Sequence, residues 1–394
     1  MDTRVYLLAA TVFLAGIDEN ICIGILPSIA TDLHVSLASA GQLTTIFSCV
    51  FALTAFCVSA WLSHRERKRL LLYALGAFAL SNLLAAMSPG YGVLFAARVA
   101  MAASCATVIL LATTLATELT PPARRGRAIG IVFMGISGSL VLGVPVGMVI
   151  NNWVGWRAVF GCIAILALPL TSYLACRLPL SASRKSMSVR TYWTQLTHPR
   201  MLTGQLVSVA MIGGHFTLFA YLTPYVQAVY SPGAATLTLL YVAFGVAGVI
   251  GAWLGGWFSD RAGASRALIC CPAVFLLAMA VLPATSRAPL LFLPVMMLWG
   301  CLSWSISPIV QNYLIRSAPD QADVSIGINV SAMHLGVALG AGLGGLLVDN
   351  GALLSTPWAG CGVVAIALCL AWRSTRSASA ISGEEPMHRV KAGE

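Results

Sequence analysis

Two adjacent carboxylates, Asp18 and Glu19, lie inside an apolar stretch that runs approximately from residue 4 to residue 28. An ionised side chain at the centre of a membrane helix costs at least ~3 kcal/mol, so it needs a partner, a watery cavity or a proton. At 1.5 Å per residue, the carboxylates lie roughly 21–23 Å from the end of their helix at one face of the membrane. Arg98 lies roughly 9 Å from the end of its helix at the opposite face. In a bilayer about 30 Å thick these depths coincide. The spacing therefore makes a contact between a carboxylate and Arg98 geometrically possible.

The two carboxylates cannot both face one cavity, because adjacent helix positions point about 100° apart. One interpretation is that a carboxylate pairs permanently with Arg98 and only holds the helices together. The other is that a carboxylate alternately binds and releases a proton, which can couple a proton gradient to a conformational change. The residue types leave open which of Asp18 and Glu19 titrates.

The second half of the chain resembles the first when the sequence is shifted by 197 residues, half of its 394. Asp18 then falls on His215, and Ser63 falls on Asp260. Duplicated bundles of membrane helices often place a substrate site between their two halves. We therefore expect Asp18 and His215 to face one another across a central cavity.

Composition identifies an integral membrane protein, since 58% of the residues are hydrophobic, 9% are charged and the mean hydropathy is +0.86. Twelve apolar stretches are long enough to cross a bilayer. They run approximately over 4–28, 41–62, 70–87, 92–118, 128–151, 156–177, 201–228, 234–257, 266–285, 290–316, 324–348 and 357–373. We therefore predict an all-α fold of two pseudo-symmetric six-helix bundles, over residues 1–177 and 201–373. A linker with a short surface helix (178–200) and a disordered tail (374–394) complete the predicted organisation.

Most of the 23 Lys and Arg residues fall on one side of the membrane if the N-terminus is cytoplasmic. The positive-inside rule therefore predicts that both termini face the cytoplasm. The net charge of +10 is explained by this asymmetry and does not require a nucleic-acid partner. The eleven cysteines lie mostly in apolar stretches without a CxxC pair, so neither disulfides nor a metal site are expected. No catalytic or nucleotide-binding motif points to an enzyme.

The segment GGWFSDRAGASR (255–266) resembles the cytoplasmic loop signature of the major facilitator superfamily. In that family an Asp-Arg pair beside a glycine latches the intracellular side of the outward-open state. The resemblance implies a latch of four residues here, namely Arg67, Asp260, Arg261 and Arg266. Ser63 occupies the acidic position of the first-half copy, so the latch should depend chiefly on Asp260.

The segment GISGSLVLGVPVG (135–147), with Gly143, Pro145 and Gly147, resembles the helix 5 motif of the proton-coupled drug efflux branch of that family. Those glycines can equally be explained by plain helix packing. Longer segments such as GGHFTLFAYLTPY (213–225), LSWSISP (302–308) and SAMHLGVALGAGLGG (331–345) are similar to purine base and nucleoside efflux pumps. Glu19 matches the acidic position of these pumps. The resemblance implies export driven by protons, with no other cofactor.

A purine presents a flat ring and an edge of hydrogen-bonding groups, so its site should combine aromatic side chains with amides or imidazoles. The predicted substrate-binding residues are His215, Phe216, Tyr221, Trp304, Asn329, His334 and Gln42. The leading hypothesis is therefore proton-coupled efflux of purine bases or nucleosides across the inner membrane by alternating access, by a monomer embedded in the lipid bilayer. The alternatives are an exporter of sugars, drugs or other small metabolites, and a membrane sensor that has lost transport.

Overall fold

The computed structural model describes residues 2–61, 66–121, 125–179 and 189–382, and all regular structure in those ranges is helical. The α-helices, numbered in chain order, are α1 Thr3–Asp32, α2 Leu37–Trp61, α3 Arg67–Ala86, α4 Tyr91–Glu118, α5 Arg125–Gly138, α6 Val144–Val154, α7 Trp156–Arg177, α8 Val189–Thr197, α9 Pro199–Phe219, α10 Leu222–Tyr230, α11 Ala234–Ala262, α12 Ala264–Val281, α13 Pro289–Ser317, α14 Ala322–Asp349 and α15 Thr356–Ser382.

Twelve helical segments of the described chain are long and apolar enough to cross a membrane, which confirms the predicted all-α fold with twelve spans. Helices α5 and α6 form one span, Ala128–Val154, and α10 follows directly on α9. The surface helix predicted in the linker corresponds to α8. The last helix continues to Ser382, so the predicted disorder from residue 374 onward is wrong for its first residues, and 383–394 lie outside the described residues.

The first half (α1–α7) and the second half (α9–α15) meet chiefly at three places. Helix α2 packs along α14, α11 packs on α6 and on the turn before it, and α1 contacts α10. An even number of spans brings both ends of the chain to one side of the membrane, which we call the terminal side. The opposite side is called the distal side.

A π-helical turn, Ser139–Gly143, interrupts the fifth span immediately before Pro145. Proline has no amide hydrogen to donate to the preceding turn, and such a loss commonly widens or kinks a helix. A Cβ added at Gly143 would lie 2.2 Å from Ile17 of α1, and one added at Gly147 would lie 2.5 Å from Ile21. These glycines therefore let the fifth span pack closely on α1, the helix that carries Asp18 and Glu19.

The halves are joined on the distal side by hydrogen bonds and close glycine contacts. Thr223 of α10 donates its hydroxyl hydrogen to the backbone oxygen of Ile23, at 3.0 Å. Tyr221 packs between α2 and α14, because a Cβ at Gly41 or at Gly345 would collide with its hydroxyl. These contacts close the distal end of the interface between the halves.

Candidate functional site

Asp18 and Arg98 form an ion pair inside the first half, and both side chains have no exposed surface. The guanidinium Nη1 of Arg98 donates to the backbone oxygen of Asp18 at 2.8 Å and lies 3.5 Å from its carboxylate Oδ1. The guanidinium also stacks over the ring of Phe47, with 4.1 Å between Cζ and the ring centroid. The structure thus contains the carboxylate–Arg98 contact that depth alone predicts.

Some hydrogen-bonding atoms of this ion pair have no partner. Asp18 Oδ2 and the Nε and Nη2 atoms of Arg98 are buried and find no hydrogen-bond partner among the described residues. A buried ion pair is costly to desolvate, and removing only one partner leaves a buried charge without compensation. The arrangement therefore suits a permanent structural pair between α1 and α4 better than a group that exchanges protons with water.

Glu19 points away from Asp18 and reaches the other half of the protein. Its carboxylate Oε1 lies 3.3 Å from Nε2 of His334, on α14. The other ring nitrogen of His334, Nδ1, lies 2.9 Å from the backbone oxygen of Val330, one turn earlier. Both ring nitrogens of His334 therefore have a polar partner, and the partner of Nε2, Glu19, belongs to the first half.

Phe51 of α2 covers the imidazole of His334. The two rings are parallel to within 6°, with 3.6 Å between their centroids. The pair is not sealed, since the side chains of Glu19 and His334 keep 21% and 13% of their surface exposed. The pair therefore keeps some contact with solvent, while the stacked phenyl ring covers one face of the imidazole.

His215 lies elsewhere, inside a cluster of aromatic rings in the second half. Its ring is stacked on Phe219 at 4.8 Å and lies 4.8 Å from Trp299, centroid to centroid. The residue is 2% exposed, and Nδ1 has no hydrogen-bond partner among the described residues. The expectation that His215 faces Asp18 across a cavity is therefore wrong, because each is buried within its own half.

Three further predicted ligands hold the fold together in this conformation. Tyr221 is fully buried at the distal contact between the halves. Gln42 of α2 lies beside the same contact, because a Cβ at Gly345 would be 3.1 Å from its Nε2. Asn329 is buried and joins α14 to α9 by donating Nδ2 hydrogens to Gln205, at 3.0 Å, and to Ser208, at 2.9 Å.

Phe216 and Trp304 are only partly buried. Phe216 meets the ring of His215 edge to face at 5.1 Å. Trp304 packs on α11, where a Cβ at Gly248 would lie 2.7 Å from the indole, and its Nε1 is buried without a partner among the described residues. The structure thus leaves these two rings available to a ligand, whereas Tyr221 and Asn329 are fully engaged in packing.

The contacts described for Asp260 and Arg67 each lie within one half. Asp260 Oδ1 accepts a hydrogen bond from Asn312 at 3.0 Å and lies 3.4 Å from Nη2 of Arg316, so it joins α11 to α13. In the first half, Arg67 forms an ion pair with Glu118, at the ends of α3 and α4. Among the described residues, the expected contact of Asp260 across the gate is not seen in this conformation.

The two remaining latch residues, Arg261 and Arg266, have different surroundings. Arg261 stacks over the ring of Trp257, 5.1 Å from Cζ to the centroid, on its own helix. Arg266 borders a cavity on the terminal side together with Arg200 and Arg316. Ser63, the first-half counterpart of Asp260, lies outside the described residues. Within the described chain, no group of three or more His, Cys, Asp and Glu side chains could hold a metal ion.

The sequence did not identify Phe51 as a functional residue, because Phe51 is one of many aromatic residues in apolar stretches. Its role depends on α2 packing along α14, and that contact joins segments almost 300 positions apart. No local sequence pattern indicates that these two helices pack together. The pairing of Glu19 with His334 was equally hidden, although each residue was singled out alone.

Comparison with known proteins places the chain in context. The family model "Major Facilitator Superfamily" matches residues 8–329. An uncharacterized MFS-type transporter of Bacillus subtilis, YbcL, is 33% identical over 365 residues, covering 93% of this chain and 94% of that protein. A protein of Helicobacter acinonychis described as a probable sugar efflux transporter is 27% identical over 354 residues, covering 88% of each.

Among solved structures, an inward-facing and unoccupied bacterial homolog of the human lysosomal transporter Spinster superposes with a TM-score of 0.79 at 15% identity. The match covers 95% of this chain and 97% of the other. At this identity the likeness shows the fold. The family match extends over most of the chain, and the twelve spans agree with it. The chain is therefore a multi-pass membrane transporter, not an enzyme, and belongs to the major facilitator superfamily.

Proposed function

We propose that this protein exports a small uncharged metabolite in exchange for protons, and that Glu19 and His334 carry the coupling. The observation that supports this role is the 3.3 Å contact between Glu19 Oε1 and His334 Nε2. Helices α1 and α14 belong to different halves, so the contact spans the interface that must open and close during alternating access.

The charge of this pair biases the conformational equilibrium. An ionised Glu19 beside a protonated His334 attracts across the interface and holds α1 against α14. When Glu19 takes up a proton it loses its negative charge, so the attraction between opposite charges is lost and only a hydrogen bond between the imidazolium and a neutral carboxyl group remains. Protonation therefore favours separation of the helices at this point. An equilibrium shifts only by such differences in interaction between two states, and this pair supplies one.

Asp18 and Arg98 have a different role in this mechanism. They are fully buried within the first half, and their relative position does not change if the halves move as units. We propose that they anchor α1 to α4, so that a change at Glu19 moves the whole first half. Glu19 is then the titrating carboxylate and Asp18 the structural one.

Purine bases or nucleosides remain the first candidate substrates. Aromatic side chains can stack on a purine, and Phe51, Phe216 and Trp304 are rings that α2, α9 and α13 contribute. Trp304 Nε1 also offers a hydrogen-bond donor with no partner among the described residues. The segments that resemble purine exporters include Phe216, Trp304 and His334.

Sugars are the second candidate class. The probable sugar efflux transporter of Helicobacter acinonychis is similar along 88% of its length. With the terminal side in the cytoplasm of a bacterial cell, as the basic residues indicate, either class would leave the cell across the inner membrane.

Transport by purified protein in liposomes tests the proposal. Radiolabelled purines, nucleosides, sugars and a lipophilic drug would be supplied with and without an imposed pH gradient. We expect one class to accumulate against its own concentration gradient only when the pH gradient is present. Transport indifferent to the pH gradient would contradict proton coupling, and absence of movement for every solute would favour the sensor alternative.

A further inference from the structure

A cavity of about 330 Å³ on the terminal side contains three arginines and has no part in the transport mechanism described above. Its walls come from the start of α9, the junction of α11 with the first turn of α12, and the end of α13. Arg200, Arg266 and Arg316 each come from a different one of these elements. Three guanidinium groups from separate elements around one cavity make a site for an anion.

Two of the arginines are held in place by neighbouring side chains. Arg200 Nε donates to the hydroxyl of Tyr313 at 3.1 Å, and its guanidinium lies 5.3 Å from that ring. Arg316 Nε donates to Asn312 Oδ1 at 2.9 Å. Each of these contacts uses only part of a guanidinium that has five N–H donors, so donors remain for a ligand.

Arg266 is exposed, as Arg316 is, and makes no hydrogen bond or ion pair within the described part of the chain. One carboxylate lies beside the group, that of Asp260, whose Oδ1 is 3.4 Å from Arg316 Nη2. Three positive charges and one negative charge leave a net charge of about +2 around the cavity. The first turn of α12, at Ala264 and Ser265, also borders it and adds backbone N–H donors.

We propose that this cavity binds a phosphate group, either the phosphodiester of an anionic lipid headgroup or free phosphate from solution. Arginine recognises phosphate oxygens with paired, charge-assisted hydrogen bonds, so three arginines match a tetrahedral oxyanion better than a carboxylate. The cavity lies where membrane spans α9, α12 and α13 begin or end, the depth at which lipid headgroups lie. A bound headgroup would bridge the second-half helices at their terminal ends.

Binding to defined membranes tests this site. Full-length protein would be placed in nanodiscs of phosphatidylcholine, alone or mixed with phosphatidylglycerol, and its retained lipid and melting temperature would be measured. Inorganic phosphate would be titrated in the phosphatidylcholine discs. Arg266→Gln is the test variant because the side chain makes no contact on which folding depends. Arg376→Gln is the control, because Arg376 stacks on Trp372 at 3.6 Å on the same side of the membrane but outside the cavity.

We expect Arg266→Gln to weaken binding about fivefold, the effect of removing one basic charge near an anionic surface, and Arg376→Gln to match the wild type. Stabilisation by phosphatidylglycerol alone would identify a lipid headgroup, and stabilisation by inorganic phosphate would identify free phosphate; either result supports the site. The proposal would be overturned if Arg266→Gln bound both probes as the wild type does, or if the control lost as much affinity.

Discussion

Replacing Asp18 by Asn should destabilise the folded protein far more than replacing Glu19 by Gln, although the two carboxylates are neighbours in sequence. Asp18 and Arg98 have no exposed surface, and Asp18→Asn leaves the guanidinium of Arg98 buried without its counter-charge. Breaking a buried pair in this way costs about 3–5 kcal/mol. Arg98 keeps its 2.8 Å hydrogen bond to the backbone of residue 18 and its stacking on Phe47, so we expect the lower end of that range.

Glu19→Gln removes a charge that is still 21% exposed, and an amide can keep a hydrogen bond to His334. Partly exposed pairs contribute about 0–1 kcal/mol, so the two variants should differ by about 2–3 kcal/mol. Urea unfolding in mild detergent, followed by tryptophan fluorescence, would measure the difference.

The double variant Asp18→Leu/Arg98→Met provides a control. It removes both charges, and replacing a whole buried pair by apolar groups is often close to neutral. We therefore expect it to recover most of the stability lost in Asp18→Asn. Equal destabilisation by Asp18→Asn and Glu19→Gln would refute the division of roles between the two carboxylates, as would a fully stable Asp18→Asn.

Three other substitutions test separate parts of the structure. Gly41→Ala would place a methyl group 1.8 Å from the hydroxyl of Tyr221, so it should open the distal contact and increase labelling of cysteines introduced there, while unchanged labelling would contradict a closing role. Asp260→Asn should change the stability measured by thermal unfolding by no more than about 1 kcal/mol, because the carboxylate is 73% exposed in its pair with Arg316. A larger loss would indicate contacts that are absent from this conformation. His215→Ala should destabilise the second half by about 3 kcal/mol, because it leaves an empty space between Phe219 and Trp299. Substrate affinity measured by calorimetry should not change. A selective loss of affinity would instead identify His215 as a ligand.

The parts of the structure that follow from local pattern could be predicted from the sequence. Spans of apolar residues are set by the thickness of the bilayer, so the twelve helices were recognisable. The contact of Asp18 with Arg98 followed from depth, because few charges in the membrane leave few choices of partner. The angle of about 100° between adjacent positions correctly separated Asp18 from Glu19.

What could not be predicted depends on how the helices rotate and pack between the halves. The repeat pairs Asp18 with His215, but equivalent positions need not have equivalent surroundings. His215 is enclosed by Phe219 and Trp299, whose counterparts in the first half are Cys22 and Ala102 and so supply no rings. The partner of Glu19 is instead His334, which α14 brings to the interface from the far end of the chain.

The latch stays a prediction for a related reason. Its signature identifies residues that contact one another in some conformation, but a sequence does not say which conformation forms which contact. Here Asp260 is satisfied by Asn312 and Arg316 of its own half. Arg266, which the signature groups with Asp260, borders the cavity beside Arg200 and Arg316.

The most direct test of coupling compares Glu19→Gln with the wild type in two assays on the same liposomes. One assay is transport driven by a pH gradient, and the other is exchange of labelled for unlabelled substrate without a gradient. Asp18→Asn, compared at equal amounts of folded protein, is the control. We expect Glu19→Gln to lose gradient-driven transport and keep exchange, because exchange needs the cavity but no net release of a proton. If Glu19→Gln still transports against a gradient while Asp18→Asn does not, Asp18 carries the proton and the proposed role of the Glu19–His334 pair is wrong.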